Sequence, residues 1–351
     1  DCLLSRGLGD VYKRQTSLGI YTENKSQFYA MMIRHIGLGV FGGLLAMYAL
    51  SRIHFSVWKK LSPYIFIAGV ILTLLVFSPL GFSHGGARRW ISLGFISFQP
   101  AELLKFAVIL LFSAWFAHFQ KYIGTFKLGL APFLGFLGIA VLPLMVQPDS
   151  GTLVLIGLVV FILYWLRGAP WKHILLTIII GMVAIGGYVF LNPHIIDRIQ
   201  TFRNPNSDPY GSSYQIRQSR IAIGSGKLYG RGLGQSVHKF GPYLPESNSD
   251  SIFAIFAEEY GFIGGVLLIT LYGLFGFFGF RIARHAPTVF AQNLVIGIIL
   301  LIVIQVFFNI AAISGLVPLS GLPLIFMSNG GTALIVTCLL YTSPSPRDKR
   351  Q

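Results

Sequence analysis

Charge is scarce in this sequence. Asp, Glu, Lys and Arg together make up 11% of 351 residues, where a soluble domain carries about 25%. Cysteine is nearly absent, with only Cys2 and Cys338, which excludes a disulfide-stapled secreted scaffold. Acidic residues number 12 against 27 basic ones, and the eight His fall into no metal-ligand spacing such as HExxH. Disorder is excluded by the opposite feature, an abundance of large apolar side chains.

What the chain does contain is 54% hydrophobic residues, 30 Phe and 40 Gly, with a mean hydropathy of +0.69. This composition predicts an all-α polytopic membrane helical bundle. A bilayer core of about 30 Å needs about 20 apolar residues per helix. Such runs occur near 29–50, 61–80, 100–119, 130–147, 150–166, 174–191, 251–280 and 291–313, and a ninth begins at about Leu324.

The two ends are unlike the rest. Cys2 to Gln15 reads CLLSRGLGDVYKRQ and Cys338 to Gln351 reads CLLYTSPSPRDKRQ, alike in length, opening and close. They resemble translations of sequencing-adapter DNA, so residues 1–15 and 338–351 are expected to be artefactual and 16–337 to form one transmembrane domain. With the ends set aside, the net charge falls from +15 to +12 and no cysteine remains.

Placement of charge sets the sidedness. Arg52, Lys59, Lys60, Lys121, Lys127, Arg167, Lys172, Arg281 and Arg284 occupy short loops that share one side if the helices alternate, and that side is cytoplasmic by the positive-inside rule. The segment 81–99, the turn Gln147-Pro148-Asp149-Ser150-Gly151 and a long loop at 192–250 then face outside. The long loop holds seven basic residues, Arg198, Arg203, Arg217, Arg220, Lys227, Arg231 and Lys239, against four acidic ones. It reads either as a solvated loop or as a basic cradle for an anionic head group. Its stretch GSGKLYGRGLGQS, Gly224 to Ser236, is no nucleotide loop, because Leu228 follows Lys227 and no Gly stands five residues before that lysine.

Charges also fall inside apolar segments. Glu102 and Lys105 stand three apart on one helix face, where pairing offsets the cost of either ion alone in lipid. Glu258 and Glu259 point to different faces of their helix, so at least one should meet a cavity or a basic partner. Asp149 suits the QPDSG turn, and Asp250 stands where a helix cap is expected. Pro and Gly interruptions from Ser314 to Gly331 fit a pocket and equally fit a transporter.

Four stretches resemble the SEDS family, the FtsW/RodA-type cell-wall polymerases: GARRWISLGFISFQPAELLKF (Gly86 to Phe106), QPDSGT (Gln147 to Thr152), the segment from Phe202 to Gly265, and VPLSGLPLIFMSNGG (Val317 to Gly331). The wording GQSVHKFGPYLPES is more similar to the division-type FtsW branch than to the elongation-type RodA branch. The resemblance implies a ten-helix fold, of which about nine spans stand here, the first helix missing and the last truncated. It implies polymerisation of lipid II into β-1,4 glycan strands at the outer face of the cytoplasmic membrane, with inversion. Implied partners are lipid II, a class B penicillin-binding protein and other division membrane proteins, with no nucleic acid.

The family's essential acid lies in an LPE-x-x-x-D segment, here LPESNSD, which carries that role onto Asp250, as base or as ligand of a divalent cation, Mg or Mn. Asn248, Ser249 and Ser251 depart from the usual neighbours. Arg88 and Arg89 come with the GARRW match as substrate contacts, and Glu246 with LPE, whereas Arg217, Arg220 and Lys239 are candidates for the diphosphate by charge and side. No nucleotide is expected. The competing expectations are a lipid-linked precursor flippase or transporter, an elongation-type polymerase, and a division scaffold without chemistry.

Overall fold

The computed structural model describes residues 45, 48, 55–84, 87–92, 97–204, 213–240 and 250–328. Six helical stretches among them are long and apolar enough to cross a membrane: α1 (Phe55–Leu74), α2 (Pro100–His118), α3 (Ala131–Val146), which the π-helical turn Phe126–Leu130 extends to 21 residues, α5 (Trp171–Leu191), α9 (Ile252–Arg284) and α10 (Val289–Ser314). The apolar α4 (Ser150–Leu166) has 17 residues. The chain is therefore a multi-pass membrane protein, and the seven spans expected from 61 to 313 each coincide with one of these helices. The run expected at 29–50 and the two adapter-like ends lie outside the described residues, apart from helical Leu45 and Tyr48; of the run expected from about Leu324, the described residues 324–328 hold a turn at 325–327 and no helix, and the rest lies outside them.

Two stretches expected to be loop carry structure. The segment 81–98 folds into a three-stranded antiparallel sheet, β1 (Gly81–His84), β2 (Ala87–Ser92) and β3 (Ser97–Phe98), with Gly81 opposite Ile91 and Ile91 opposite Phe98. The long loop contains α6 (Pro193–Arg203), α7 (Tyr214–Ser225) and the short α8 (Val237–Phe240). Neither α6 nor α7 has the uniform hydrophobicity of a span, because each interleaves Arg and Gln with its apolar positions.

The described structure divides into two compact units. One takes in Gly43–Asp197 and Tyr272–Gln305, the other Arg198–Leu271 and Val306–Gly331. In the first, α2 is the central helix: 83% of its most apolar window is buried, against 17% for α5. A helix that is apolar on every side belongs inside a bundle, and α2 has side chains enough to fill the space: Phe112 meets Phe133 edge-on, Phe116 stacks on Tyr164 and Trp115 packs against Phe136. The Phe133 and Tyr164 rings lie 4.3 Å apart between centroids, in a near-parallel stack. Gly297 of α10 meets Ile109 and Leu163, where any Cβ would collide, the small-residue contact that lets membrane helices approach closely.

The same helix buries an ion pair. Pro100 opens α2 at its first position, and Glu102 in the first turn sits favourably at the positive end of the helix dipole. Lys105 Nζ donates to Glu102 Oε1 at 2.8 Å and to Gln305 Oε1 at 2.9 Å, all three side chains being buried. Removing one partner leaves an uncompensated buried charge and costs about 3–5 kcal/mol. Lys105→Met should therefore lower the thermal midpoint in detergent well below that of the Lys105→Met, Glu102→Gln pair, which buries no charge; equal midpoints would contradict the pairing.

Candidate functional site

Asp250 stands immediately before α9, half-buried, in a turn. Its backbone carbonyl accepts from Asn309 Nδ2 of α10 at 2.9 Å, and the same amide donates to Leu322 O at 2.7 Å. Asn309 is 2% exposed, so this amide is a rigid bracket tying the acid to the irregular segment 315–328. On the side-chain face, a Cβ at Gly321 would lie 3.6 Å from Asp250 Oδ2, which places the carboxylate against the glycine backbone. Gln215 of α7 donates to the neighbouring Ser251 Oγ at 3.1 Å.

Arginines from the long loop hold the same irregular segment. Arg220 Nη2 donates to Gly315 O at 2.9 Å and Arg198 Nη1 to Leu319 O at 3.3 Å. Gly315 adopts φ +74°, and any Cβ there would strike the Arg220 guanidinium. Arg217, one turn earlier on α7, is exposed. Lys239 lies on α8 with its side chain outside the described residues, as is all of Glu246. Asp250, Arg217 and Arg220 thus share one unit, and the structure adds Asn309, Arg198 and Gly321 to them. Asn309 had a signal in the sequence: a primary amide in an otherwise apolar span marks a bundle-facing position.

Other sequence candidates have structural employment. Asp149 caps α4, its Oδ1 accepting from Thr152 N at 3.4 Å. In the same unit, Arg88 is exposed on β2, whereas Arg89 is half-buried and donates to Pro148 O in the QPDSG turn.

Glu258 is fully buried and meets loop partners on both oxygens. Oε1 accepts from Ser225 Oγ at 3.2 Å and faces Arg231 Nη1 at 3.5 Å, while Oε2 accepts from Ser236 Oγ at 2.6 Å and pairs with His238 Nδ1 at 3.0 Å. Of the alternatives open for this acid, pairing with the long loop is the arrangement found.

The backbone beneath it explains why. Helix α9 breaks at Gly261 (φ +68°, ψ −165°), a conformation for which only glycine is suited. The break would orphan the carbonyls of Glu258 and Glu259 and the amides of Phe262 and Ile263, four residues on. The Gly-rich loop supplies all four partners: Arg231 N donates to Glu258 O and Gly232 N to Glu259 O at 3.0 Å each, while Lys227 O accepts from Phe262 N at 2.8 Å and Leu228 O from Ile263 N at 3.2 Å. Gly230 (φ +79°) passes so close to Glu259 O that a side chain would collide. The loop is spliced into the helix.

Among the described residues, no three His, Cys, Asp or Glu side chains converge as a metal site would require. Among the described residues, the Asp250 carboxylate lies in a unit that also carries the guanidinium groups of Arg198, Arg217 and Arg220.

Comparison with known proteins follows the same outline. The family model described as "Cell cycle protein", FTSW_RODA_SPOVE, matches residues 7–342. Stage V sporulation protein E of Bacillus subtilis is 38% identical over 335 residues, covering 95% of this chain and 90% of that protein. The probable peptidoglycan glycosyltransferase FtsW of Coxiella burnetii is 36% identical over 345 residues, covering 96% and 92%. Among solved structures, a chain from "Structural coordination of polymerization and crosslinking by a peptidoglycan synthase complex" has a TM-score of 0.74 at 25% identity, covering 96% of this chain and 95% of that one. Rod shape determining protein RodA of Thermus thermophilus shares the fold, with a TM-score of 0.62 at 24% identity and coverage of 92% and 88%.

The Asn309 bracket can be checked by itself. Losing a buried amide that serves two carbonyls costs about 1–3 kcal/mol for each group left unsatisfied. Asn309→Ala and Asn309→Asp should both melt earlier than the parent in detergent, since an ionised carboxylate donates to neither carbonyl. Full stability of the Asp variant would rule the bracket out.

Proposed function

The chain belongs to the FtsW/RodA/SpoVE family of cell cycle proteins, and from that premise we propose that it is a peptidoglycan glycosyltransferase that polymerises lipid II into β-1,4 glycan strands. The observation that carries the proposal is Asp250, whose backbone the Asn309 bracket fixes before α9, in a unit that also carries Arg198, Arg217 and Arg220. Similarity over nearly the full chain to relatives named as probable peptidoglycan glycosyltransferases supports it. The reaction runs at the outer face of the cytoplasmic membrane, the side to which the short basic loops assign residues 192–250.

The chemistry asks for few groups. The donor sugar is α-linked to a diphosphate and the product linkage is β, so one in-line displacement inverts the anomeric carbon. The acceptor 4-hydroxyl oxygen forms the new bond, its proton passes to the Asp250 carboxylate as general base, and the bond to the diphosphate breaks. Arg217 and Arg220, three residues apart on α7 and therefore on one face, neutralise the charge that develops on the leaving diphosphate. Lys239, Glu246, Arg88 and Arg89 remain candidates for further substrate contact.

A divalent cation, Mg or Mn, fits only as a guest of the substrate. Asp250 would be its protein ligand and the phosphate oxygens would complete its shell, a common arrangement for Mg, and the ion would offset diphosphate charge. A class B penicillin-binding protein is the proposed partner, since the structural neighbour is described as coordinating polymerization with crosslinking. The septal wall is the proposed place of action, since relatives named FtsW predominate and the GQSVHKFGPYLPES wording is of that type.

Purified protein given labelled lipid II should produce a ladder of glycan polymer, whereas a flippase or a scaffold would produce none. Asp250→Asn should fold with an unchanged thermal profile and lose about 10²–10⁴-fold in polymerisation rate, the usual worth of a general base. A folded Asp250→Asn protein as active as the parent would contradict the assignment.

A further inference from the structure

The spliced loop has an apolar tip that its docking onto α9 does not cover. Leu228, Tyr229 and Leu233 are 53%, 80% and 75% exposed, and Phe262 and Ile263, whose amides the loop holds, are 67% and 50% exposed. Lys227 and Arg231 are exposed beside them. Large apolar side chains exposed together on one loop and the helix it docks onto mark a binding surface, and the question is what covers it.

Helix α9 serves as a ruler. The break at Gly261 divides it into a short piece that begins at Ile252 and a long piece that ends at Arg284, to be set against the roughly 30 Å of a bilayer core. Arg281 and Arg284 in the last turn mark one boundary. Residues 262–280 rise about 28 Å, so the helix beyond the break accounts for the whole hydrocarbon crossing. Gly261 then stands at the opposite boundary, and Glu258 and Glu259 lie beyond it, among polar loop groups rather than in lipid. Since Lys227 O and Leu228 O bond the first two amides after the break, the loop is held at the depth of the head groups.

We propose that the loop from Lys227 to Leu233 is a membrane-interface anchor, with Leu228, Tyr229 and Leu233 seated at the boundary of the acyl chains and Lys227 directed to lipid phosphates, while Arg231 stays turned to Glu258. The occupant of the patch is the bilayer surface itself. Its composition is that of an interfacial element: an aromatic residue with a polar tip, a long cation, Lys227, that reaches toward head groups, and aliphatic side chains beside them. Assignment to the outer leaflet rests on the orientation in the proposed function, whereas the depth rests only on α9. The anchor holds the splice, and with it α7 and α8, at the level where a lipid-linked diphosphate would lie.

Spin labels read that depth directly. In the full chain carrying Cys2→Ser and Cys338→Ser, labels at Tyr229→Cys, Leu233→Cys and, as a deep reference, Leu267→Cys would be examined in nanodiscs of zwitterionic and anionic phospholipid. Collisions with oxygen should exceed those with a water-soluble nickel chelate at 229 and 233, at a shallower depth than at 267. Chelate collisions exceeding oxygen at both loop positions would overturn the proposal, because the tip would then stand in water. Protection that develops only after a penicillin-binding protein is added would also overturn it, by making the patch a protein interface. The measurement uses resting protein without lipid II, and lipid II polymerisation by the Cys-free parent tests the glycosyltransferase assignment separately.

Discussion

A backbone polar group turned away from water must find a partner within the protein, and at Gly261 this chain breaks the helix α9. The four groups released by the break are taken up by four groups of one Gly-rich loop. That exchange fixes the loop to the helix with no freedom of register: a shift of one residue would leave two carbonyls and two amides without partners, each costing about 1–3 kcal/mol when buried. The Glu258 carboxylate reinforces it from the side-chain direction, collecting Ser225 from the end of α7 and Ser236 and His238 from the approach to α8 and on it.

The catalytic proposal depends on this frame. Asp250 precedes the helix that the loop is spliced into, and α7, whose end meets Glu258 through Ser225, also carries Arg217 and Arg220. Asn309 adds a second constraint from α10, through one amide shared by Asp250 O and Leu322 O. A general base has to be held within hydrogen-bonding reach of the proton it takes, and a carboxylate on a free loop would not be. The broken helix and its inserted loop supply the rigidity that a single membrane helix end lacks.

Much of this was legible in the sequence, and the limits have physical causes. The spans follow from hydropathy because a lipid-facing helix must be apolar along about 20 residues. The Glu102–Lys105 pair follows from spacing, because residues three apart share a face, and the turn role of Asp149 follows from its place before an apolar run. The splice was not legible, because it is made by backbone groups that every residue possesses. Gly261 in Tyr-Gly-Phe-Ile-Gly-Gly reads like any small residue in a membrane helix, and the glycines of 224–236 invite a search for a bound anion when Gly226 and Gly230 serve close approach to α9. The small sheet at 81–98 was missed for a similar reason: its ladder is brief and its polar and apolar residues alternate over too few positions to stand out.

The central claim is that the Gly-rich loop and α9 form one hydrogen-bonded unit on which the Asp250 site depends. Hydrogen exchange in nanodiscs, read at the amides of Arg231, Gly232, Phe262 and Ile263 in the parent and in Gly230→Val, tests it most directly. The account predicts slow exchange at all four in the parent, and in the variant their joint release together with faster exchange at Ser251 and loss of lipid II polymerisation. Loop amides exchanging at solvent rates in an active parent, or a variant that frees them and polymerises normally, would contradict it.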